Sequence, residues 1–597
     1  MRGLIRLIPL LVFLCAIARG AIAIPAAEIS SPPSADRVKQ LVREAARDGW
    51  APHARALREA AVAAYEKNRT EAASAWFRLY QWALLLGESE DAFTGRWIMA
   101  VQEARVAHAN MQRTFAPPRR PLSWYLAPEL QQWMLSSRAW SNEFFGLLQP
   151  VDYVPAVFRT LNALYEREPE MFKRYANLAL AIAVVFDVPP PPDWPHGQTN
   201  ASLATRGWPA PRDAFNWWIR EDRAGRTYHA LTKLGADELR FVVDAAAPFD
   251  ELEWTQQVAN YPLDQLERAY TMIQYRTDRV TRQQMLWPKK SYTLHEILGE
   301  GGICVDQGYF ATQVGKARGV PTLLFMGAGT DGRHAWFGFL NAKQQWKLDA
   351  GRYSEQRFAT GYARDPQTWR ILSDHELLFL SERFRRKTSY RQSRVHAEFA
   401  LDFLGREDFA AAAAAARKAV NYERRNQVAW ETLIEAEKRL GRDAKAREAT
   451  LNEAALAFQS FPDLAVLYTK RRIESLRSRG ETSAAELEEQ RLARKHLGDR
   501  RDLTVQSARE ILQRAVATQS LAEQVRTYHG LLDRYGRDGG IAFLDQVIAP
   551  FCDHLLDLNH AAEARLVVDR ARAVMAVQSG TQLEQEFNRL TEKLRRR

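Results

Sequence analysis

Between Gly301 and Tyr353 stand a cysteine, a histidine and an aspartate in the settings that a cysteine nucleophile, its base and its orienting acid require: Cys304, His334 and Asp349. Cys304 follows Gly301-Gly302-Ile303 and opens a helical pattern that stops at Gly319-Val320-Pro321. A glycine able to adopt positive φ and then a proline are a helix stop signal. A thiol at a helix start is stabilised as thiolate by the free N–H groups and the dipole. An imidazole can take the thiol proton, and a carboxylate can fix the imidazole tautomer. The backbone N–H of Cys304 is an expected oxyanion donor, and Gln284 and Trp287 are candidates for the second.

Each residue alone has a bland reading. Cysteine is among the most buried residue types, a lone histidine is more often structural, and a strand-end aspartate more often solvated. Setting is what joins them. Val320 to Met326 is an apolar, partly β-branched run suited to a strand, and Gly327 to Gly332 is a glycine-rich turn. His334-Ala335-Trp336-Phe337-Gly338-Phe339 then reads as a returning strand, and Trp346-Lys347-Leu348-Asp349 as the next one. Asp306 reads as a first-turn charge complementing the helix dipole, outside the chemistry. His295 reads as a surface residue of a short helix capped by Thr293 and Glu296.

Four pieces of this text, in order, resemble the transglutaminase-like superfamily: Gly302-Ile303-Cys304, Ala317-Arg318-Gly319-Val320-Pro321-Thr322, His334-Ala335-Trp336 and Trp346-Lys347-Leu348-Asp349. They fall within residues 294–352, about a tenth of the chain. The resemblance implies a papain-like α+β core, a catalytic triad of Cys304, His334 and Asp349, and an amide substrate in a protein or peptide. No metal or other cofactor is expected, since HExxH, paired CxxC and phosphate-cradling glycine patterns do not occur.

At 597 residues the chain exceeds a single core, and 46% hydrophobic with 26% charged residues is ordinary globular composition. Residues 1–23 read as a secretory signal, with Arg2 and Arg6 before the apolar stretch Leu7 to Ile17 and a small-x-small site at Ala21-Ile22-Ala23. The expectation is an exported protein, periplasmic or secreted, with no transmembrane segment. Removing Arg2, Arg6 and Arg19 from 83 basic residues leaves 80 against 72 acidic, a net charge of +8. That excess is dispersed, with no basic cluster interleaved with aromatics, so nucleic acid is not an expected partner. After cleavage only Cys304 and Cys552 remain, which excludes a disulfide scaffold. Cys552 reads as core; a Cys304–Cys552 bridge is the alternative and would silence the thiol.

Flanking the expected catalytic region, residues 24–188 show helical periodicity, as in Arg37 to Asp48, Pro52 to Asn68 and Glu71 to Leu86, with Trp76, Tyr80 and Trp82 as core. Residues 189–213 are rich in proline and read as a linker. Residues 214–385 hold the transglutaminase-like region, in which Arg240 to Asp244 fits a strand or a buried helical turn equally well. Residues 395–597 are helical again, with turns at Gly405, Gly441 and Gly480 and an alanine-rich unit from Ala397 to Val420 that resembles a tetratricopeptide repeat. A helix pair every 34–40 residues is the signature of an α-solenoid, which would offer a protein partner a concave face. The expected protein is thus an exported cysteine enzyme acting on amide bonds through a thioester, as peptidase, amidase or acyl transferase. The alternative is a catalytically idle scaffold that binds envelope proteins.

Overall fold

The computed structural model describes residues 24–104, 117–199, 207–352, 360–495 and 500–596. The expected signal at 1–23 lies outside them. The chain is mostly helical, with one small antiparallel sheet. The three expected N-terminal helices form as Ala35–Asp48, Ala51–Glu66 and Thr70–Gly87. Ser34 caps the first by accepting the Arg37 N–H at 3.1 Å. Asn68 follows the second at φ 55°. Trp76, Tyr80 and Trp82 are buried as expected, and the Trp82 indole N–H donates to Ser141 Oγ at 2.9 Å. The ambiguous stretch at Arg240 resolves as a helix, Ala236–Val243, whose start is fixed by the Glu238 carboxylate accepting the Gly235 N–H at 3.0 Å.

The sheet has strands β1 (Thr322–Ala328), β2 (Arg333–Leu340), β3 (Trp346–Ala350) and β4 (Thr360–Ala363), in the order β3-β2-β1-β4 and antiparallel throughout. The helix Cys304–Ala317 lies across β1 and β2. A Cβ at Gly308 would meet Leu324 Cδ1 at 2.8 Å, so the bare glycine lets helix and sheet approach. Phe337 and Phe339 share the core with Tyr309 and Phe310 of that helix.

Downstream, helices Thr388–Gly405, Phe409–Tyr422, Gln427–Arg439, Ala444–Ala457 and Pro462–Ser478 each pack on the next. Gly441 and Gly480 occupy turns at φ 69° and 80°. Gly405 instead ends its helix, and the positive φ of that turn falls on Glu407 at 64°.

One continuous core runs from Val38 to Tyr468, and a second from Val505 to Leu594. The boundaries expected near 188, 213, 385 and 395 therefore fall inside the first core. Tyr65 stacks on Phe399 at 4.1 Å, and Arg58 pairs with Asp402 at 2.7 Å, which fastens the N-terminal helices to Thr388–Gly405. The proline-rich stretch is likewise packed where it is described. Trp194 and His196 are buried, and Trp208 stacks on Phe186 at 4.8 Å while donating to the Val188 carbonyl at 2.9 Å. Aromatic area among the prolines holds this segment down. Among the described residues no helix is long and apolar enough to cross a membrane.

Candidate active site

Cys304 is the first residue of its helix, and the loop before it is shaped by glycine. Gly301 has φ 73°, and a Cβ there would meet the Gln274 carbonyl at 2.5 Å. The chain is held by Gly302 N–H donating to that carbonyl at 2.9 Å and Arg276 N–H donating to the Gly302 carbonyl at 2.9 Å. Asp306 is in the first turn, as expected, and does more than complement the dipole. It is buried, pairs with the buried Arg279 at 2.9 Å, accepts the Ile303 N–H at 2.8 Å and accepts the Tyr292 hydroxyl at 2.8 Å. Tyr292 in turn meets His196 Nε2 at 2.8 Å. Since the Tyr292 proton goes to Asp306, His196 Nε2 is the donor in that contact. Burial depresses the His196 imidazole to about 4, so the ring is neutral.

Cys304 is partly exposed and packs in a small cluster with Ile303, Val305 and Ala335. The Ala335 backbone N–H, one residue beyond His334, favours the thiolate. Burial wins over that contact and over the helix start. It pushes the thiol up to about 11, with the Asp306 carboxylate adding to the rise. The expectation of a resting thiolate is corrected: the folded protein holds a thiol. Cys304 and Cys552 are both free, so the bridge between them is not formed, and Cys552 is fully buried as expected.

His334 is buried at the start of β2, its ring 5.8 Å from Trp336 and nearly parallel to it. Its Nε2 meets the Gly351 carbonyl at 3.1 Å. A carbonyl only accepts, so Nε2 carries the proton and Nδ1 is left basic. Burial lowers the His334 pKa, which keeps the ring neutral at neutral pH. Gly351 is specialised for this place: its φ is 83°, and a Cβ would lie 2.5 Å from the Tyr270 ring. Tyr270 also ties β2 down by donating to the Ala335 carbonyl at 2.8 Å.

Asp349 departs from the expected role. β2 residues Phe337 and Phe339 pair with Ala350 and Lys347, so β3 carries an extra residue opposite Gly338. Such a bulge re-aims side chains. Asp349 lies within it and is exposed, while the place expected for its carboxylate, at His334 Nε2, is taken by the Gly351 carbonyl. Neither candidate oxyanion side chain is poised. The Trp287 indole N–H is committed to the Ser291 carbonyl at 2.6 Å, and Gln284 is exposed. The expected cap of the preceding helix does form, with Glu296 N–H donating to Thr293 Oγ1 at 3.2 Å. His295 is exposed and stacks on Trp254 at 3.8 Å.

A cavity of about 390 Å³ runs along the flank of the Cys304 helix, lined among others by Trp194, Tyr309, Gln313, Met326, Tyr362 and Trp369. Met326 also packs against the Cys304 cluster, so the cavity borders the thiol's surroundings. Its size is within the range of ligand pockets. Among the described residues, no group of three or more His, Cys, Asp or Glu is placed to hold a metal ion. Comparison with protein-family models, curated proteins and solved structures returned no match.

Proposed function

We propose that the chain is an exported, transglutaminase-like cysteine enzyme that opens amide bonds in a protein or peptide through a thioester. The observation that carries this reading is the junction of helix and strand. Cys304 begins a helix and packs against Ala335, the residue that follows a neutral, oriented histidine. In the proposed reaction His334 Nδ1 takes the thiol proton as sulfur attacks the amide carbonyl. The Cys304 backbone N–H faces the developing oxyanion, and the same imidazole returns the proton to the leaving amine. Water or a second amine then cleaves the thioester, which separates hydrolysis from acyl transfer. The Gly351 carbonyl, in place of the Asp349 carboxylate, fixes the His334 tautomer. The cavity bordered by Met326 offers room for part of the acyl donor. The helices after Thr388 read as a tetratricopeptide-like array with a face for a protein partner.

A second reading is favoured by the protonated thiol and the exposed Asp349: the region is an idle core within a scaffold that binds envelope proteins. Incubation with glutamine-containing peptides, with and without hydroxylamine, separates the two. The enzyme reading expects release of ammonia or of a new amino terminus, lost by about 10²-fold or more in Cys304→Ala and His334→Ala at unchanged circular dichroism. Equal turnover in those variants, or none in the natural chain across a broad peptide panel, supports the scaffold.

A further inference from the structure

The turn between β1 and β2, which leads directly into His334, is gripped by helices more than 170 residues further along the chain. The Ile541 N–H donates to the Thr330 carbonyl at 3.0 Å, and the Leu583 N–H donates to the Asp331 carbonyl at 2.9 Å. Gln582 Oε1 accepts the Arg333 N–H at 2.7 Å, and the Arg501 guanidinium donates to Thr330 Oγ1 at 2.9 Å. The Arg333 side chain spans two helices, pairing with Asp545 at 2.7 Å and Glu586 at 3.0 Å. Backbone meets backbone here. Gly540 breaks its helix at φ 54°, and a Cβ there would sit 2.6 Å from the Thr330 carbonyl oxygen. A helix does not turn at such a φ without reason, and this break presents the Ile541 N–H to the turn.

We propose that Arg333 is a positioning residue, which couples the C-terminal helices to His334 so that the arrangement of those helices sets where the imidazole stands. The inference deepens the enzyme reading and rests on it for its consequence, but the coupling itself is measurable without turnover. The adjoining helices belong to the second core, whereas Cys304 packs with Ile303, Val305 and Ala335 in a small cluster of its own. A partner bound along the C-terminal helices would reach the chemistry through this turn, by moving the base relative to the thiol.

The test uses the full chain carrying Cys304→Ala, so that its result does not depend on catalysis. Arg333→Gln is the main variant and Gly540→Ala the second. Arg570→Gln, which breaks the Arg570–Asp533 pair elsewhere among the C-terminal helices, is the control. Hydrogen exchange is followed in residues 329–337 and in the Cys304 helix, and the His334 imidazole is followed by nuclear magnetic resonance on histidine-labelled protein. Arg333→Gln is expected to speed exchange in 329–337 by about three- to tenfold and to shift the His334 resonances, with the Cys304 helix unchanged. Arg570→Gln is expected to change neither. Wild-type exchange and an unmoved His334 signal in Arg333→Gln would overturn the coupling. So would equal loosening of the Cys304 helix, which would mark a general loss of structure. Should Gly540→Ala fail to fold, Arg333→Gln decides alone.

Discussion

Cys304 and His334 are held in place by different kinds of structure. Around Cys304 the support is buried and closed: Asp306 is met by Arg279, Tyr292 and the Ile303 N–H, and both charges of the ion pair are out of solvent. Around the turn leading to His334 the support is half-exposed and assembled from distant parts of the chain: Arg333 with Asp545 and Glu586, and backbone bonds to Ile541 and Leu583. A buried ion pair is costly to break, whereas exposed pairs contribute little each and are screened by salt. The comparison teaches that Cys304 sits on a buried, closed mount, whereas the turn before His334 rests on half-exposed contacts from far along the chain.

The strongest way to break that comparison is at the buried mount. Asp306→Ala leaves the Arg279 guanidinium buried without its partner, and the expected cost is about 3–5 kcal/mol. Urea unfolding followed by tryptophan fluorescence reads it. A cost near that of an exposed pair would show that the Cys304 mount is no firmer than the His334 one.

A smaller effect comes from the thiol itself. Its folded-state value, pushed up to about 11, lies above the ordinary 9.0. The folded state therefore retains the proton while the unfolded chain loses it. This contribution to stability is fully present below pH 9 and is lost as pH rises through 11. Stability measured between pH 8 and 11 should fall less steeply in Cys304→Ser than in the natural chain. Over the same range, iodoacetamide should label Cys304 slowly at neutral pH and faster with each step upward. A labelling rate already at its plateau near pH 7 would restore the resting thiolate. The smallest global effect is expected from Arg333→Gln, below about 1 kcal/mol, since its pairs are half-exposed. Its consequence is local, at the turn and at His334.

The helices and their ends were legible in the sequence, whereas the buried partners of Asp306 were not. Periodicity placed the N-terminal helices to within about two residues, and Gly319-Val320-Pro321 marked the end of the Cys304 helix. Thr293 and Glu296 announced the cap before it. These signals are local, so a reader of the sequence can weigh them. What was not legible depends on distance or on a single inserted residue. The β3 bulge that turns Asp349 outward looks like any strand end in sequence, yet it moves a carboxylate off its expected partner. The aromatic residues within the proline-rich stretch were the available sign that it packs, through Trp194 and Trp208. Nothing local in Arg333 or Gly540 tells that the first pairs with Asp545 and the second lies against Thr330, because these contacts are made by tertiary structure alone.

The central claim is that Cys304 is acylated with His334 as base, oriented by the Gly351 carbonyl. Its most direct test is acylation by p-nitrophenyl acetate, with the acetylated residue identified by peptide mass spectrometry in four proteins: the natural chain, His334→Ala, Gly351→Ala and Asp349→Ala. The account predicts acetylation of Cys304 in the natural chain, slowed about 10²-fold in His334→Ala. It predicts a clear loss in Gly351→Ala, where a Cβ collides with Tyr270 and displaces the carbonyl, and a change within about threefold in Asp349→Ala, whose exposed carboxylate lies off the His334 hydrogen bond. Acetylation at an unchanged rate in His334→Ala would contradict it, as would a loss in Asp349→Ala equal to that in His334→Ala.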